Sequence, residues 1–561
     1  LLAVRGHVRR QPDVRAHVTT EFNLALVNET IAAAIPDREV LIWRDRRITY
    51  GQLAERSRRL ASYLSSRGLG IHKERAELAG HESGQDHVAL YLYNGNEYVE
   101  GMLGAFKSRT VPVNVNYRYV EDELVYLFLN SQSRAVVYHA TFAPKLKAIR
   151  DRLPDLQVLI QVDDGSGEPL LDGAVDYEEV LAASSPELLD LGHSPDDLYV
   201  LYTGGTTGMP KGVLWRHHDV FMNTMGGRVP GVWDALSTYD EVRERALNGG
   251  DLTMMLIPPF MHGAAQWGTF VLMSDGSKIV IPDENTRMDP ADVLRVAERE
   301  KATTITVVGD AVARPLIAEL ESHSYDLSSL FVISNGSAPL TPAIKERLLE
   351  LLPNIIINDA VGSSETGAQG SHMSVKGAVQ TGRFTPGPGS TVVSEDLTRV
   401  LQPGHEGLGW FAQEGWVPLG YLGDAEKTAR TFPVVEGTRY AVPGDRARLL
   451  DDGVIDLLGR DSVTINTGGE KVFAEEVESA IASHPAVQDV TVCGRASERW
   501  GNEVVAVVQL SSPATPEELE AHAAKSIARY KLPKGWVFVE KVQRSPSGKA
   551  DYRWAREVAE Q

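Results

Sequence analysis

The most informative stretch of this chain is Leu201-Tyr-Thr-Gly-Gly-Thr-Thr-Gly-Met-Pro-Lys-Gly-Val-Leu214. Residues 197–202 (DLYVLY), which lead into it, are mostly apolar and aromatic and therefore predict a buried strand. The glycines that follow let backbone N–H groups approach an anion, while threonine hydroxyls and Lys211 add donors and a positive charge. The stretch therefore predicts a phosphate-binding loop.

Two other interpretations of this loop fit the residues less well. A Walker A loop has Gly-x-x-x-x-Gly-Lys followed by Ser or Thr. Here Pro210 precedes Lys211 and Gly212 follows it, so the loop does not belong to that class. A flexible surface turn between a strand and a helix is the alternative that this stretch alone leaves open.

Residues 203–211 (TGGTTGMPK) resemble the signature loop of the adenylate-forming enzymes, the superfamily of acyl-CoA synthetases, luciferases and peptide-synthetase adenylation domains. The resemblance implies that the loop binds the phosphates of ATP and that Thr207 assists catalysis. The implied ATP-binding residues of the loop are Thr203, Gly204, Gly205, Thr206, Thr207, Gly208 and Lys211. Further family motifs follow in the same order, so the resemblance extends over about residues 28–555.

Composition sets the class of protein. A chain of 561 residues with 43% apolar content predicts two or more globular domains. Its 76 acidic and 56 basic residues give a net charge of −20, which argues against nucleic acid or an anionic membrane as a partner. A single cysteine, Cys493, excludes an intrachain disulfide and a cysteine-ligated zinc cluster, and favours the cytoplasm. No apolar run of about 18 residues occurs, so no transmembrane segment is expected, and a homo-oligomer is compatible with the sequence.

The predicted fold class is α/β. Alternating strand and helix patterns predict a large layered domain over residues 23–459, and the resemblance implies doubly wound sheets with a β-barrel-like subdomain. The resemblance further implies a hinge at 460–462 and a small, mobile α+β domain over 463–561. Residues 1–22 are predicted to be a non-family or disordered segment, for which a misplaced translation start is a better explanation than a transit peptide.

Some polar residues stand outside the motifs. Residues 225–250 are glycine-rich without a clear period, so they predict a loop. His217 and His218 have no carboxylate or thiol partner at ligand spacing, so metal binding is not predicted there. Lys107, Arg118 and His139 have no motif around them, and we expect each of them at the surface.

Residues 256–266 (LIPPFMHGAAQ) read as a strand that ends at two prolines and a turn of small residues. The resemblance implies that this turn lines the acid-binding pocket, with His262 and Gly263 in contact with the acid. No aspartate stands in 260–266 to pair with a substrate ammonium group, which argues against an amino acid as substrate. We expect Gly263, Ala264, Ala265 and Gly268 to leave volume for a bulky apolar acid.

Residues 335–340 (NGSAPL) resemble the glycine-rich turn that lies against the acyl-adenylate in this superfamily. Gly336 is expected to let the nucleotide and the acyl group approach the backbone. Ser337 is expected to reach a phosphate or the adenine ring.

Residues 355–367 (IIINDAVGSSETG) are an apolar strand that stops in a polar turn, and they match the family pattern Y-G-x-T-E. Ser364 is expected beside phosphate and Glu365 is expected to bind Mg²⁺ and to be catalytic. The implied ATP-binding residues of this stretch are Asp359, Val361, Gly362, Ser363 and Ser364. Val361 replaces the usual aromatic residue, and Asp359 is a candidate either for the adenine amino group or for a helix cap.

The last motifs lie near the carboxy terminus. Residues 439–449 (RYAVPGDRARL) resemble the family strand whose aspartate, here Asp445, binds both ribose hydroxyls. A carboxylate accepts two hydrogen bonds at once and therefore suits a vicinal diol. Arg460 is implied to contact ribose and phosphate, and Ser462 stands at the hinge position, where the family often has aspartate or lysine. The implied CoA-facing residues are Gly468, Gly469 and Glu470.

Residues 544–552 (RSPSGKADY) resemble the terminal P-x-G-K motif, which makes Lys549 the implied catalytic lysine and an ATP-binding residue. Taken alone, a lysine in such a turn is simply a solvated side chain. Its place as the last family motif in order favours the catalytic role.

The resemblance implies an ATP-dependent acyl-CoA synthetase that uses Mg²⁺ and activates a bulky apolar acid as acyl-AMP before transfer to CoA. Residues 215–217, 309–311, 314–315, 362–365 and 544–556 look most like actinobacterial fatty-acid or sterol-side-chain acyl-CoA ligases. Two alternatives stay open: an acyl-AMP ligase that delivers to a carrier protein or to luciferase-like oxidation, and a non-catalytic nucleotide or acyl sensor. No carrier domain follows Gln561, so a carrier is expected to be a separate molecule.

Overall fold

The structure is a computed structural model that describes residues 20–205, 208–228, 233–467, 470–497, 501–544 and 549–561. Thr206, Thr207, Gly468 and Gly469 lie outside the described residues. The described helices are α1 (Leu24–Ala34), α2 (Tyr50–Ser66), α3 (Asn96–Lys107), α4 (Glu121–Asn130), α5 (Ala143–Ile149), α6 (Tyr177–Ala183), α7 (His217–Thr224), α8 (Tyr239–Asn248), α9 (Gly263–Ser274), α10 (Pro290–Arg299), α11 (Gly309–Ser322), α12 (Pro342–Leu351), α13 (Ala425–Thr431), α14 (Ala474–Ala482), α15 (Pro516–Ala523) and α16 (Tyr552–Ala559).

The described strands are β1 (Glu39–Trp43), β2 (Arg46–Thr49), β3 (His87–Tyr91), β4 (Val111–Asn114), β5 (Ser133–His139), β6 (Val158–Val162), β7 (Ala174–Asp176), β8 (Leu198–Gly205), β9 (Gly208–Arg216), β10 (Thr253–Met255), β11 (Lys278–Ile281), β12 (Thr304–Val307), β13 (Val332–Asn335), β14 (Ile356–Ser363), β15 (Gly367–Ser374), β16 (Arg383–Pro386), β17 (Ser390–Val393), β18 (Gly409–Gln413), β19 (Gly420–Tyr421), β20 (Val434–Val435), β21 (Thr438–Arg439), β22 (Asp445–Leu449), β23 (Ile455–Arg460), β24 (Ile465–Thr467), β25 (Glu470–Val472), β26 (Val487–Ser497), β27 (Gly501–Leu510) and β28 (Gly535–Phe538).

Two large sheets build the first domain. One has eight described strands in the order β19-β9-β8-β4-β3-β5-β6-β7, and the other has thirteen, in the order β17-β18-β22-β23-β16-β15-β14-β13-β12-β10-β11-β1-β2. The largest apolar cluster contains Leu201 of β8 and Ile279 of β11, so the two sheets share one core. This is the layered arrangement expected when sheets and helices bury their apolar faces against each other.

The thirteen-stranded sheet changes from parallel to antiparallel strand pairing along its length. From β11 through β10, β12, β13 and β14 neighbouring strands are parallel, and from β14 onwards through β15, β16 and β23 they are antiparallel. The predicted barrel-like subdomain corresponds to β16, β17, β18, β22 and β23, which continue the large sheet rather than stand apart from it.

The carboxy-terminal region forms a separate five-stranded sheet, in which β25, β24, β27 and β26 follow one another and β28 pairs with β27. The apolar cluster that this sheet forms with α14 and α15 includes Val472, Val477, Val492, Val508 and Leu519. The chain enters it from β23 through the 3₁₀ helix Asp461–Val463. The boundaries at 22, 459 and 462 stay predictions, although Phe22 is fully buried.

Three surface and loop predictions need correction. Residues 239–248 form α8 instead of a loop, because the Thr238 side chain caps the helix and only Val242 and Ala246 are buried, which hides the helical period. Lys107 is fully buried and pairs with Glu29 at 2.6 Å, so its expected exposure is wrong.

His139 is also buried, and its Nδ1 accepts a hydrogen bond from the backbone N–H of Tyr93. Arg118 is exposed, as expected. His217 and His218 hold the start of α1, because Nδ1 of His218 accepts a hydrogen bond from the N–H of Phe22.

Among the described helices, none has the length and apolar character to cross a membrane.

Candidate active site

The predicted phosphate loop is the tip of a β-hairpin. Strands β8 and β9 pair antiparallel, with Thr203 opposite Lys211 and Gly205 opposite Gly208. Thr206 and Thr207, including the predicted catalytic threonine, lie outside the described residues. Lys211 Nζ lies 3.4 Å from Asp424 Oδ2, so this lysine is directed toward the segment that contains β19 and α13.

Asn114, at the end of β4, joins the loop to the predicted acid-binding turn. Its side-chain N–H groups donate to the carbonyls of Tyr202 at 2.8 Å and Met261 at 2.7 Å. Its Oδ1 accepts from the N–H of Tyr202 at 2.7 Å. The residue is buried, so these three bonds fix the hairpin relative to the turn at His262.

The turn that carries Glu365 connects β14 with β15. Trp215 Nε1 donates to the carbonyl of Ser364 at 2.9 Å, and Asn223 Nδ2 donates to the carbonyl of Thr366 at 3.1 Å. Gly367 has φ +69°, and a Cβ there would lie 2.0 Å from Asn223 Oδ1, so only glycine fits. The second strand of the phosphate hairpin, β9, and the helix that follows it, α7, thus hold the glutamate turn.

Glu365 itself is buried and accepts a hydrogen bond of 2.7 Å from the hydroxyl of Tyr421. Burial and the Glu365 charge raise the pKa of Tyr421, so its hydroxyl remains a donor. Lys211 Nζ lies 5.9 Å and Lys427 Nζ 4.4 Å from the centroid of the Tyr421 ring. One tyrosine therefore connects the predicted metal-binding carboxylate to two lysines.

The predicted glycine-rich turn follows β13. An added Cβ at Gly336 would meet nothing closer than the carbonyl of Ala360 at 3.9 Å, so space lies beside this backbone. Ser337 is exposed and has φ +67°. Both residues are therefore accessible, as a ligand at this turn would require.

Asp359 belongs to a buried polar network. Its Oδ2 lies 2.5 Å from Nζ of Lys345, whose side chain is fully buried, and its Oδ1 accepts from Asn335 Nδ2 at 2.8 Å. Asn335 Oδ1 in turn accepts from the N–H of Gly309 at 2.8 Å. Asp359 lies inside β14, so the capping alternative is wrong. Its carboxylate already has two partners, and a contact with adenine stays a prediction.

The remaining residues of this motif surround the end of β14. Val361 is partly buried against the cluster of Val392, Phe411 and Ile455. A Cβ at Gly362 would lie 2.1 Å from the carbonyl of Gly367, so a tight approach of β15 requires glycine. Ser363 bonds to Thr366 through its N–H at 3.0 Å and thereby closes the turn.

Asp445 and Arg460 are opposite each other on β22 and β23. Arg460 Nε donates to Asp445 Oδ1 at 3.1 Å. The charge of Asp445 raises the pKa of Arg460, with a further contribution from Glu365. The ribose-binding candidate and the metal-binding candidate are thus connected through one arginine.

Lys549 reaches the same place from the carboxy-terminal domain. Its side chain is exposed, but the protein atoms around it still desolvate the ammonium group. Desolvation and then the charge of Arg460 lower the pKa of Lys549, while Glu365 and Asp445 act in the opposite direction. Lys549 is therefore within electrostatic range of three other predicted site residues, Glu365, Asp445 and Arg460.

His262 is close enough to Lys549 to be affected by its charge. Burial, and then the charges of Lys549 and Arg118, lower the pKa of His262 to about 4, so its imidazole is neutral at pH 7. Its Nε2 is buried, with no hydrogen-bond partner among the described residues. A polar atom in that state is available to a ligand.

The expected volume at the small residues beside His262 needs correction. Ala265 is fully buried in the core and a Cβ at Gly263 would lie 2.6 Å from Leu201 Cδ2. These two residues are small because α9 packs closely on β8. Ala264 is exposed, and a Cβ added at Gly268 would lie 3.5 Å from Met254 Cε, an ordinary van der Waals distance.

The junction between the domains lies close to these groups. Gly459 has φ +112°, and a Cβ there would lie 2.2 Å from Glu475 Oε2 of α14. Ser462 belongs to the 3₁₀ helix Asp461–Val463, and Glu470 begins β25. The CoA-facing candidates Gly468 and Gly469 lie outside the described residues, so that part stays a prediction.

Sequence reasoning missed Asn114, Lys345, Tyr421 and Lys427. None belongs to a motif that was used, and their roles depend on strand pairing between distant segments. Tyr421 and Lys427 do flank a recognisable signal, because Asp424 caps α13 through the N–H of Lys427 at 2.9 Å.

Comparison with known proteins identifies the family. The model of the AMP-binding enzyme family matches residues 29–422, and that of the AMP-binding enzyme C-terminal domain matches 476–549. The chain is 60% identical to medium-chain acyl-CoA ligase Mig of Mycobacterium avium, over 96% of this chain and 99% of that protein. It is 41% identical to a 3-oxocholest-4-en-26-oate–CoA ligase of Rhodococcus rhodochrous, over 96% of each.

Solved structures confirm the predicted fold class. The anthranilate CoA ligase AuaEII in complex with anthranoyl-AMP aligns with a TM-score of 0.80 at 22% identity, over 96% of this chain and 97% of that one. A Mycobacterium tuberculosis fatty acyl CoA synthetase aligns with a TM-score of 0.68 at 22% identity, over 95% and 98%. The two family models together span most of the sequence, including the hairpin, the Glu365 turn and Lys549, and the chain therefore belongs to the AMP-binding enzyme family.

Proposed function

We propose that this protein is an AMP-forming acid–thiol ligase that activates an apolar carboxylic acid, a fatty acid or a steroid side-chain acid, with ATP and transfers the acyl group to CoA. The observation that carries the proposal is the approach of Lys549 to Glu365, Asp445 and Arg460. The similarity to a medium-chain acyl-CoA ligase and to a sterol-acid CoA ligase supports the class of substrate.

In the first half-reaction, a carboxylate oxygen of the acid attacks the α-phosphorus of ATP, and pyrophosphate leaves. The acid supplies the nucleophile, so the protein positions the reactants and stabilises the charge that develops. We assign Lys549 to the contact between the acid carboxylate and the α-phosphate. Asp445 accepts hydrogen bonds from the ribose hydroxyls, and Arg460 holds Asp445 in place.

Acyl-CoA ligases of this family use Mg²⁺, and the residues present fit that ion. Mg²⁺ in ATP-dependent enzymes is held by one or two carboxylates and completes its shell with phosphate oxygens and water. Glu365 is one such carboxylate, and its second oxygen is left for an ion because Tyr421 donates to Oε1. The ion supplies charge neutralisation at the phosphates.

The acid is assigned to the region beside His262. The imidazole is neutral and its Nε2 lacks a partner among the described residues, which suits a carboxylate or a polar group of the substrate. No aspartate occurs in residues 260–266 to hold a substrate ammonium group. These features favour a carboxylic acid without an ammonium group over an amino acid.

The second half-reaction transfers the acyl group to the CoA thiol and releases AMP. We propose that the small domain rotates about residues 460–462, so that Lys549 leaves the site and residues 468–470 meet CoA. The Glu475 side chain of the small domain lies against the backbone of Gly459, where no side chain intervenes. This contact supports a domain junction at which the small domain is able to move away from β23. We assign the reaction to the cytoplasm, in keeping with the single, buried Cys493.

Incubation with ATP, Mg²⁺, CoA and a panel of acetate, fatty, aromatic and steroid carboxylates tests the function. Mass spectrometry of acyl-CoA and a pyrophosphate assay report the two halves separately. We expect acyl-CoA with the apolar acids. Pyrophosphate release with acyl-AMP and no thioester would indicate an acyl-AMP ligase, and absence of both products would indicate a sensor.

A further inference from the structure

Besides Lys211 and Lys549, the site contains a third lysine, which belongs to none of the motifs. Lys427, on α13, lies with Nζ 4.4 Å from the centroid of the Tyr421 ring, and Lys211 approaches the same ring at 5.9 Å. Lys211 belongs to the predicted phosphate hairpin and Lys427 to a segment more than two hundred positions later. The fold therefore brings two ammonium groups from distant parts of the chain to one aromatic ring.

The acidic groups nearby are already engaged. Asp424 Oδ1 accepts from the N–H of Lys427 at 2.9 Å as the cap of α13, and its Oδ2 lies 3.4 Å from Lys211 Nζ. Glu365 accepts the Tyr421 hydroxyl and is the proposed Mg²⁺ ligand. When Mg²⁺ is bound, it neutralises the charge of Glu365. Of these two carboxylates, only Asp424 then remains to balance the positive charges of Lys211 and Lys427.

The charge on Lys427 is unfavourable in the protein alone. Burial, and then the close approach and positive charge of Lys211, lower the pKa of Lys427 to about 8. Two partly buried cations held together are costly unless an anion joins them. A polyphosphate beside the hairpin is an anion of the required charge.

We propose that Lys427 acts with Lys211 as a second cation for the β- and γ-phosphates of ATP and for the pyrophosphate that leaves. This inference rests on the proposed function. As the bond from the acid oxygen to the α-phosphorus forms, the bond from the α-phosphorus to the bridging oxygen breaks, and its electron pair passes to pyrophosphate. Lys427 stabilises that growing negative charge by a charge-assisted hydrogen bond.

The test compares Lys427→Met and Lys427→Gln with Arg430→Met. Arg430 is an exposed residue of the same helix, so its replacement removes one positive charge outside the site. We expect Lys427→Met to raise the ATP KM and the inhibition constant of inorganic pyrophosphate by about 10- to 100-fold, and to slow acyl-AMP formation by a similar factor. Transfer of a preformed acyl-AMP to CoA should stay within about twofold of wild type, and Arg430→Met should change neither half-reaction.

Lys427→Arg restores a cation and should recover most of the pyrophosphate inhibition. The opposing idea is that Lys427 only packs on Tyr421. This packing role predicts that Lys427→Met and Lys427→Gln lower the Tm but leave the inhibition by pyrophosphate unchanged. If only one of the two variants folds, that variant is measured. Unchanged inhibition would overturn the proposal.

Calorimetric binding of Mg²⁺-pyrophosphate to the wild type and to both variants separates this inference from the proposed function. If the wild type binds pyrophosphate and the variants bind it about tenfold more weakly without any ligase turnover, the inference stands while the function fails. If acyl-CoA forms normally and binding is equal in all proteins, the inference alone fails.

Discussion

Arg460 Nε donates a hydrogen bond of 3.1 Å to Oδ1 of Asp445, its partner on the neighbouring strand. The bond holds one oxygen and leaves the other for a ligand. We expect Asp445→Ala to raise the ATP KM by about 10- to 100-fold with a smaller effect on kcat, since ground-state binding is lost. Asp456→Ala, on the same strand as Arg460, is the matched control, and steady-state kinetics with varied ATP is the measurement. Equal ATP KM in both variants would remove Asp445 from the site.

Glu365 should act mainly on turnover. We expect Glu365→Gln to lower kcat by about 10²-fold and to raise the Mg²⁺ concentration needed for half-maximal rate, because the amide binds the ion weakly. Tyr421→Phe removes only the hydrogen bond to Oε1 and should cost about tenfold or less. Magnesium titrations at fixed ATP compare the two. An unchanged magnesium dependence in Glu365→Gln would contradict the assignment.

Lys549 should matter for one half-reaction only. We expect Lys549→Ala to slow acyl-AMP formation by about 10²- to 10³-fold, the cost of losing one preorganised donor at a developing charge. Transfer from preformed acyl-AMP to CoA should survive. Lys541→Ala, an exposed lysine of the same domain, is the control. Ser462→Pro, which restricts φ at the proposed hinge, should give the converse pattern, and parallel loss of both halves in either variant would argue against rotation.

The acid should gain affinity with its apolar surface. Each additional methylene that is buried should strengthen binding by roughly 0.8 kcal/mol until the pocket is full. KM values for a series of straight-chain acids, measured at saturating ATP and CoA, check this. A preference for acetate over medium-chain and steroid acids would refute the proposed substrate class.

The carboxy-terminal domain should lose stability as pH rises. Burial raises the pKa of Glu475 to about 7 and that of Glu478 to about 8, above 4.5 for an exposed glutamate. The native state therefore binds more protons than the unfolded state between pH 4.5 and 8, and the free energy of unfolding falls across that window.

Glu478→Gln should flatten this dependence. At pH 8.5 we expect the variant to be more stable than wild type by at most about 5 kcal/mol, since the pKa of Glu478 rises from 4.5 to about 8 and each pKa unit corresponds to about 1.4 kcal/mol. Denaturant unfolding at pH 5 and pH 8.5 measures it, with Glu557→Gln, an exposed glutamate of α16, as the control. A wild-type curve that rises with pH would contradict the sign.

The sequence predicted the elements better than their partners. The hairpin residues, the Glu365 turn, Asp445 and Lys549 could be located because glycine, threonine and charged residues repeat a family pattern in a fixed order. The helix-cap alternative for Asp359 is wrong, because this residue lies inside β14 and pairs with Lys345 of the preceding helix α12, a contact that the local sequence does not indicate. Lys107 was wrongly placed at the surface because its partner Glu29 is distant in sequence. Long-range pairing of this kind leaves no local period to read.

The pairing of β14 with β15, which runs from Ile357 opposite Ser374 to Ser363 opposite Gly367, has a consequence for thermal denaturation. It makes the parallel half and the antiparallel half of the thirteen-stranded sheet one hydrogen-bonded unit, so melting either half exposes the edge of the other. The five-stranded sheet shares no described strand pairing with it. Scanning calorimetry should therefore record two endotherms, one for the large domain and one for the small, and the large domain should melt as a single cooperative unit.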